Sequence, residues 1–247
     1  MVRRLAAALL GGAPELPASI VLDEPPILVT LSVQSRARRF TLRLNPSGAG
    51  ATLTLPPGVP EREVHQFLHR QRGWLSTALG RLPEPVRMRE GARLPIGGEM
   101  VALTLLDGPR RAPVLDDGVL TLSGQGTAGP RIAAWLKERA RARMVPAVHA
   151  FAAQLGRAVR GVALKDTRSR WGSCSTTQRI NLSWRLAMAP PEVQDYLCAH
   201  EAAHLVEMNH SPRYWAVLAG LMPRYDMPRQ WLKTEGPALH RYRFDAE

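Results

Sequence analysis

Apolar and polar residues alternate along much of the first half of the chain, which is typical of half-buried β-strands. Turns containing glycine or proline separate the alternating runs, so the opening of the chain is predicted to be an antiparallel meander. The strand-like runs cover residues 26–33, 40–44, 51–55, 93–96, 100–106 and 118–122.

A helical pattern interrupts the strands after residue 59. Pro60 and Glu61 suit a first helical turn, and the apolar residues that follow recur at helical spacing. His65 and His69 lie four residues apart in this helix, but no glutamate lies between them, so they are predicted to be surface or packing histidines. The predicted buried face consists of Val64, Phe67, Leu68, Trp74 and Leu75.

Helical periodicity is more prominent in the second half. Residues 124–129 resemble a flexible connector, and a long helix is predicted from Pro130 to about Gly156. A strand-like run over 161–165 comes next, and a polar turn near residues 169–175 leads into an alternating run over 179–186. These last two segments are predicted to form a β-hairpin directly before the next helix.

The sequence therefore predicts an α+β protein in three parts. Residues 1–25 are a lead-in that is expected to be poorly ordered. Residues 26–125 form a β-rich N-terminal region. Residues 126–247 form a core in which an active-site helix lies next to the hairpin.

The helix after the hairpin carries the clearest chemical motif. Pro190, Pro191 and Glu192 supply the proline and acid favoured in a first turn. His200 and His204 are four residues apart and project from one helical face, with Glu201 beside them. In this arrangement two imidazoles bind zinc and the glutamate takes a proton from the metal-bound water. A buried helix with satisfied histidines is the structural alternative.

A third metal ligand is available nearby. Asn209 is predicted to adopt a left-handed conformation that ends the helix and turns His210 back toward the two helical histidines. Ser211 and Pro212 are expected to be the cap and the first residue of a new helix. A downstream carboxylate, from Asp226 or Glu235, remains an alternative third ligand.

The hairpin is the predicted place for a substrate, because a strand edge beside a metal can pair with an extended peptide. An ordinary core hairpin is the alternative. Arg170, Asn181 and Tyr214 are also candidates for stabilising an oxyanion. Cys174 has no histidine neighbour in sequence and is assigned a structural role. The candidate substrate-binding residues are Arg170, Trp171, Gly172, Ser173, Asn181 and Tyr214.

Composition adds limits to this interpretation. The 247 residues carry a formal charge of +12, which would attract polyanions or acidic substrates. Arginine-rich composition alone raises the charge of many proteins, and no nucleic-acid motif is present, so nucleic acid is possible as a partner but not indicated.

The two cysteines form no Cys-x-x-Cys pair, which favours a reducing compartment and hence the cytoplasm. No apolar run is long enough to span a membrane, and the charged, briefly apolar start, Met1 to Ala13, is too short to favour a signal peptide.

Several motifs in order resemble the YgjP-like metallopeptidase family, which is related to the SprT-type zinc peptidases. In the first half the resemblance rests on residues 39–44, 56–59, 72–74 and 94–97. It implies that residues 126–247 form a zincin-like core with zinc held by His200, His204 and His210 and with Glu201 as the catalytic residue. The motifs of the second half are Ser169–Ser175, Ile180–Leu186, Ala189-Pro190, Asp195-Tyr196, His200–Leu205, Asn209–Ser211 and Tyr214-Trp215.

The function expected from these observations is a zinc-dependent hydrolase that cuts peptide bonds in a peptide or protein. One alternative is a metal-dependent nucleotide phosphohydrolase, because zinc-activated water can also attack phosphorus and nearby arginines can hold phosphates. Another is a polyanion-binding protein with a purely structural zinc site. The arginines that would serve the phosphohydrolase are Arg168, Arg170, Arg179 and Arg185.

Overall fold

Contacts between Cα atoms divide the chain into two compact units, Met1–Glu84 and Pro85–Glu247. The division predicted near residue 125 lies inside the second unit, because the strands before it and the helix after it share one core.

The segment from Met1 to Ala13 lies outside the described residues. No helix among those described is both long and apolar enough to cross a membrane. The computed structural model describes residues 16–23, 26–45, 50–80 and 84–245.

In the described part of the first unit, one helix covers a four-stranded sheet. Its strands are in the order β1-β2-β4-β3. The predicted meander is wrong, because β2 pairs in parallel with β4 while β3 folds back against the other edge of β4. Part of the predicted lead-in forms β1. The elements are β1 (Ser19–Leu22), β2 (Ile27–Val33), β3 (Thr41–Leu44), β4 (Ala51–Leu55) and helix α1 (Glu61–Gly80).

Helix α1 buries a narrower stripe than its sequence predicts. Val64, Leu68 and Leu75 are fully buried against the sheet. Trp74 was assigned to the same face but is 49% exposed, because it lies about 100° around the helix from Leu75. His65 and His69 are exposed, as their predicted surface role requires.

The second unit begins with strands that cover a long helix. A four-stranded sheet has the order β6-β7-β9-β8, and its inner residues share a core with the helix that follows. The connector predicted at residues 124–129 is shorter than expected, because the helix begins at Ala128. The elements are β5 (Val86–Arg87), β6 (Arg93–Ile96), β7 (Glu99–Leu106), β8 (Val114–Asp116), β9 (Val119–Ser123) and α2 (Ala128–Gln154).

A small sheet and a group of short helices complete the unit. The predicted hairpin is confirmed: β11 and β12 pair antiparallel, and β12 is parallel to β10. Beyond Ser183 the strand gives way to a 3-10 helix, Trp184–Met188. The protein is therefore a mixed α/β fold with a β-rich N-terminal half. The remaining elements are β10 (Gly161–Lys165), β11 (Gly172–Cys174), β12 (Arg179–Ser183), α3 (Pro191–Ala203), α4 (Pro212–Leu221), α5 (Asp226–Thr234), a 3-10 helix (Gly236–Arg241) and β13 (Tyr242–Arg243).

A buried arginine ties the loop after β10 to the C-terminal segment. Arg185 is 8% exposed, and its guanidinium donates to both carboxylate oxygens of Asp166, at 2.7 and 3.2 Å. The same group donates to the backbone carbonyls of Leu239 and Tyr242, at 3.2 and 3.0 Å. Arginine suits this position, because its planar guanidinium can donate hydrogen bonds to several acceptors at once. Arg185 is therefore a structural residue and is not available to bind phosphate.

Removing the acid of this pair should destabilise the protein. In Asp166→Asn, the buried guanidinium loses its charged partner, and we expect the free energy of unfolding to fall by about 1–3 kcal/mol. Glu138→Gln is the matched control, because the Glu138–Arg141 pair is exposed and should change stability by less than about 0.5 kcal/mol. Urea denaturation measures both values. Equal stability of the two variants would contradict the anchoring role.

Candidate metal centre

Helix α3 presents the histidine motif at its C-terminal end. It begins at Pro191, as its proline-rich start predicts, and ends at Ala203. His204 is the C-cap residue, and its φ of −66° and ψ of −12° remain close to helical values. His200 and His204 therefore still lie one turn apart, and their ring centroids are separated by 5.0 Å.

The chain returns to the helix by a different turn from the one predicted. The left-handed conformation assigned to Asn209 is wrong, since Asp117 and Gln178 are the described non-glycine residues with positive φ. The Asn209 side chain instead accepts a hydrogen bond from the backbone N–H of Ser211 at 3.0 Å, forming an Asx turn. The predicted cap is confirmed, because Ser211 Oγ accepts from the N–H of Tyr214 and Pro212 starts α4.

Three histidines converge at this turn. One ring nitrogen from each of His200, His204 and His210 forms a group whose atoms all lie within 4.8 Å of one another. The Nε2 atoms of His200 and His210 are 3.3 Å apart. A tetrahedral zinc ion with Zn–N bonds of about 2.0–2.1 Å separates two ligand nitrogens by about 3.3–3.4 Å, so the spacing of His200 and His210 fits zinc. Neither Asp226 nor Glu235 belongs to the metal-binding group found among the described residues.

Neighbouring groups orient His200 and His204, and burial keeps these two imidazoles neutral. The Nδ1–H of His204 donates to the backbone carbonyl of Glu207 at 3.0 Å, which leaves Nε2 available as a ligand. The hydroxyl of Tyr196 lies 3.4 Å from Nδ1 of His200. Burial lowers the pKa of His200 to about 3, and burial also lowers the pKa of His204. Neutral imidazoles have the free lone pair that a metal requires.

Glu201 is buried beside the histidines and is 3% exposed. Its Oε2 atom has no hydrogen-bond partner among the described residues. Burial raises the pKa of the Glu201 carboxyl to about 8, and the positive charge of Arg170 opposes this shift. A dication held by the histidines would act in the same direction as Arg170 and favour the carboxylate. Such an unpartnered carboxyl beside a metal site is suited to exchanging a proton with a bound molecule.

The backbone of β11 approaches this carboxyl so closely that a side chain at residue 172 would displace it. A Cβ atom on Gly172 would overlap Oε1 of Glu201 and lie 2.8 Å from its Cδ. Because residue 172 is glycine, the strand backbone can lie in direct contact with the Glu201 carboxyl. No described strand pairs with the outer edge of β11, since the sheet order is β10-β12-β11.

These groups open into one cavity of about 410 Å³. Asn181 and Tyr214 do not line the cavity. Asn181 donates from Nδ2 to Ser173 Oγ at 3.2 Å, and the fully buried Tyr214 donates its hydroxyl to the carbonyl of His200 at 3.1 Å. Of the candidate substrate-binding residues, those that line it are Arg170, Trp171, Gly172 and Ser173.

Sequence reasoning missed part of the cavity wall. Tyr196 and Leu197 line the cavity, whereas their helical spacing predicted only that they lie on the buried face of α3. Met208 also lines the cavity and lies between His204 and His210 in sequence, so its place beside the metal site was predictable from the sequence. Leu232 comes from α5, and no local pattern connects it with the motif.

Comparison with known proteins gives one result. The family model described as YgjP-like, metallopeptidase domain, matches residues 38–235. No curated protein and no solved structure matches the chain significantly. The matched range contains the three histidines, Glu201 and most of the first unit.

The contact between Gly172 and Glu201 predicts a specific coupling. Gly172→Ala should lower the free energy of unfolding by about 1–3 kcal/mol, because the added methyl group overpacks the site. In a Glu201→Ala background the overlap is gone, so the same substitution should have little effect. Gly220→Ala, in open space on α4, is the control and should change stability by no more than about 1 kcal/mol. An equal cost of Gly172→Ala in both backgrounds would contradict the contact.

The surroundings of Cys174 predict an unreactive thiol. Burial raises its pKa from 9.0 to about 11, so the fraction of thiolate at neutral pH falls about 100-fold. In metal-free protein, the reaction of Cys174 with a disulfide reagent should be slow at pH 7.5 and still be rising at pH 9. Cys174→Ser identifies its share of the signal, because Cys198 is fully buried. A plateau in rate below pH 8 would indicate an activated nucleophile instead.

Proposed function

The chain belongs to the YgjP-like metallopeptidase family, and on that premise we propose that it is a zinc-dependent peptidase with a zincin-like catalytic core. In this proposal His200, His204 and His210 hold the zinc ion, and Glu201 is the general base. The observation that carries the proposal is the buried carboxyl of Glu201, whose Oε2 has no hydrogen-bond partner in the described structure, beside three convergent imidazoles in an open cavity.

The number of ligands supports a catalytic rather than a structural metal. Structural zinc sites are closed by four protein ligands, whereas catalytic sites have three and keep one position for water or substrate. The group found among the described residues has three members. This count argues against the alternative of a polyanion-binding protein with a closed zinc site.

Zinc, when bound, supplies a Lewis acid that polarises a carbonyl and lowers the pKa of a coordinated water from ~15.7 to ~7. Glu201, a buried carboxyl that lines the cavity, accepts the proton of the attacking water and returns it to the leaving amine. Trp171 and Leu232 line the cavity with apolar surface, which strengthens electrostatic interactions inside it. Arg170 is the cavity-lining cation available to stabilise the oxyanion.

The outer edge of β11 provides a means to hold an extended peptide. The backbone groups of Trp171 and Ser175 bond to β12, as shown by Ser183 N–H to Trp171 O and Ser175 N–H to Arg179 O. Because bonding alternates along an antiparallel strand, the N–H and C=O groups of Gly172 and Cys174 point to the other edge. A peptide paired there would lie beside Glu201, which supports a peptide or unfolded protein as substrate.

The phosphohydrolase alternative has less support. Of its four arginines, Arg185 is buried in the pair with Asp166, and Arg170 is the member that lines the cavity. Arg168 and Arg179 are exposed and are not part of the cavity wall. Nucleotide phosphates carry several charges and are usually held by several cations or backbone N–H groups.

Glu201→Gln tests the proposal, because it keeps the shape of the side chain and removes the base. We expect the variant to retain zinc and to lose about 10²–10⁴-fold of the activity toward an unfolded protein. Glu192→Gln, an exposed position in the first turn of the same helix, is the matched control and should retain both. Metal analysis and a quenched-fluorescence protein substrate provide the two measurements.

A nucleoside triphosphate assayed in parallel separates the alternatives. Zinc-dependent hydrolysis of the triphosphate without cleavage of the protein would replace the peptidase with the phosphohydrolase. Wild-type protein that contains zinc but hydrolyses neither substrate would contradict the catalytic role of Glu201.

A further inference from the structure

His210 is the ligand with the least local support. His200 is part of α3 and His204 caps it, whereas His210 lies in the turn before α4 and is exposed. An exposed imidazole on a turn loses conformational freedom when it binds a metal, and this loss weakens binding. A group that fixes His210 in advance would therefore increase metal affinity.

Trp215, in the first turn of α4, contacts His210 in two ways. Its indole Nε1–H donates to the backbone carbonyl of His210 at 3.1 Å. Its ring stacks against the imidazole, with centroids 5.7 Å apart and planes inclined by 29°. The hydrogen bond fixes the backbone and the stack limits rotation of the side chain, so both degrees of freedom of the ligand are restrained.

Trp215 is itself held in place by residues at the start of helix α5. The guanidinium of Arg229 lies over the indole, 4.4 Å from the ring centroid, and the ring of Tyr225 stacks on it at 5.7 Å. A cation over the face of an indole is an attractive contact. Trp215 is thus packed between the ligand turn and the start of α5, and the ring that contacts His210 is itself fixed.

We propose that Trp215 is a positioning residue that preorganises His210 as the third metal ligand. This inference rests on the proposed function only in taking the three histidines as a metal site, and it requires no peptidase activity. Tyr214 also packs its ring against His210, at 4.7 Å between centroids, and donates its hydroxyl to the carbonyl of His200. Trp215 differs from Tyr214 in that it donates a hydrogen bond to the backbone carbonyl of His210.

The test is zinc affinity, measured by competition with a chromophoric chelator. Trp215→Leu removes both contacts and should weaken zinc binding by about 10–100-fold, the usual effect of losing a group that orients a ligand. Trp135→Leu is the control, since Trp135 also carries an arginine, Arg139, over its ring but lies on α2. It should remain within about twofold of wild type.

A double-mutant cycle distinguishes positioning from general stability. In a His210→Ala background, Trp215→Leu should cause no further loss of zinc affinity, because the ligand that it positions is gone. Trp215→Phe, which keeps an aromatic ring and is the safer variant for folding, should lose about two- to tenfold through the missing hydrogen bond.

Three results would overturn the inference. Trp215→Leu and Trp215→Phe could both match Trp135→Leu in affinity, which would show that the contacts do not matter. The same loss could appear in the His210→Ala background, which would show that Trp215 acts through something else. Wild-type protein that binds no zinc would overturn the metal site as well, whereas zinc binding without peptidase activity would overturn only the proposed function.

Discussion

The close approach of the β11 backbone to the Glu201 carboxyl is the constraint on which the site depends. A Cβ at residue 172 would overlap the carboxyl group, so any other residue there would force the Glu201 side chain to move. The contact places an open strand edge, a buried carboxyl and three imidazoles around one cavity. Within the described part of the chain Oε2 of Glu201 has no hydrogen-bond partner, and an unpartnered buried polar atom costs stability. A fold retains such a group when its function is to exchange a proton with something that the protein binds.

The surrounding elements hold this arrangement by contacts distant in sequence. Arg185 joins the loop before β11 to the C-terminal segment through Asp166 and the carbonyls of Leu239 and Tyr242. The ring of Trp171 stacks on His240 of that same segment, with centroids 4.9 Å apart. Helix α5 contributes Leu232 to the cavity wall. The metal motif is local, whereas the cavity around it combines residues from β11 and the loop before it, from α3, from the turn before α4 and from α5.

The sequence predicted those features that depend on local geometry. Helical spacing was enough to place His200, Glu201 and His204 together, and the Ser211 cap was readable from its own residue types. The conformation of the turn at Asn209 was predicted wrongly, because an Asx turn and a left-handed residue reverse the chain equally well. The parallel pairing of β2 with β4 and the burial of Arg185 depend on distant partners, which periodicity does not reveal. Tyr214 was a plausible oxyanion donor until the structure assigned its hydroxyl to the carbonyl of His200.

Anomalous diffraction at the zinc edge, from crystals of the protein grown with zinc, tests the central claim most directly. The account predicts one strong peak within about 2.0–2.1 Å of one nitrogen from each of His200, His204 and His210, with an open fourth position facing Glu201. A peak bound by only two of these histidines, a site closed by a fourth protein ligand, or no peak at the cluster would contradict it.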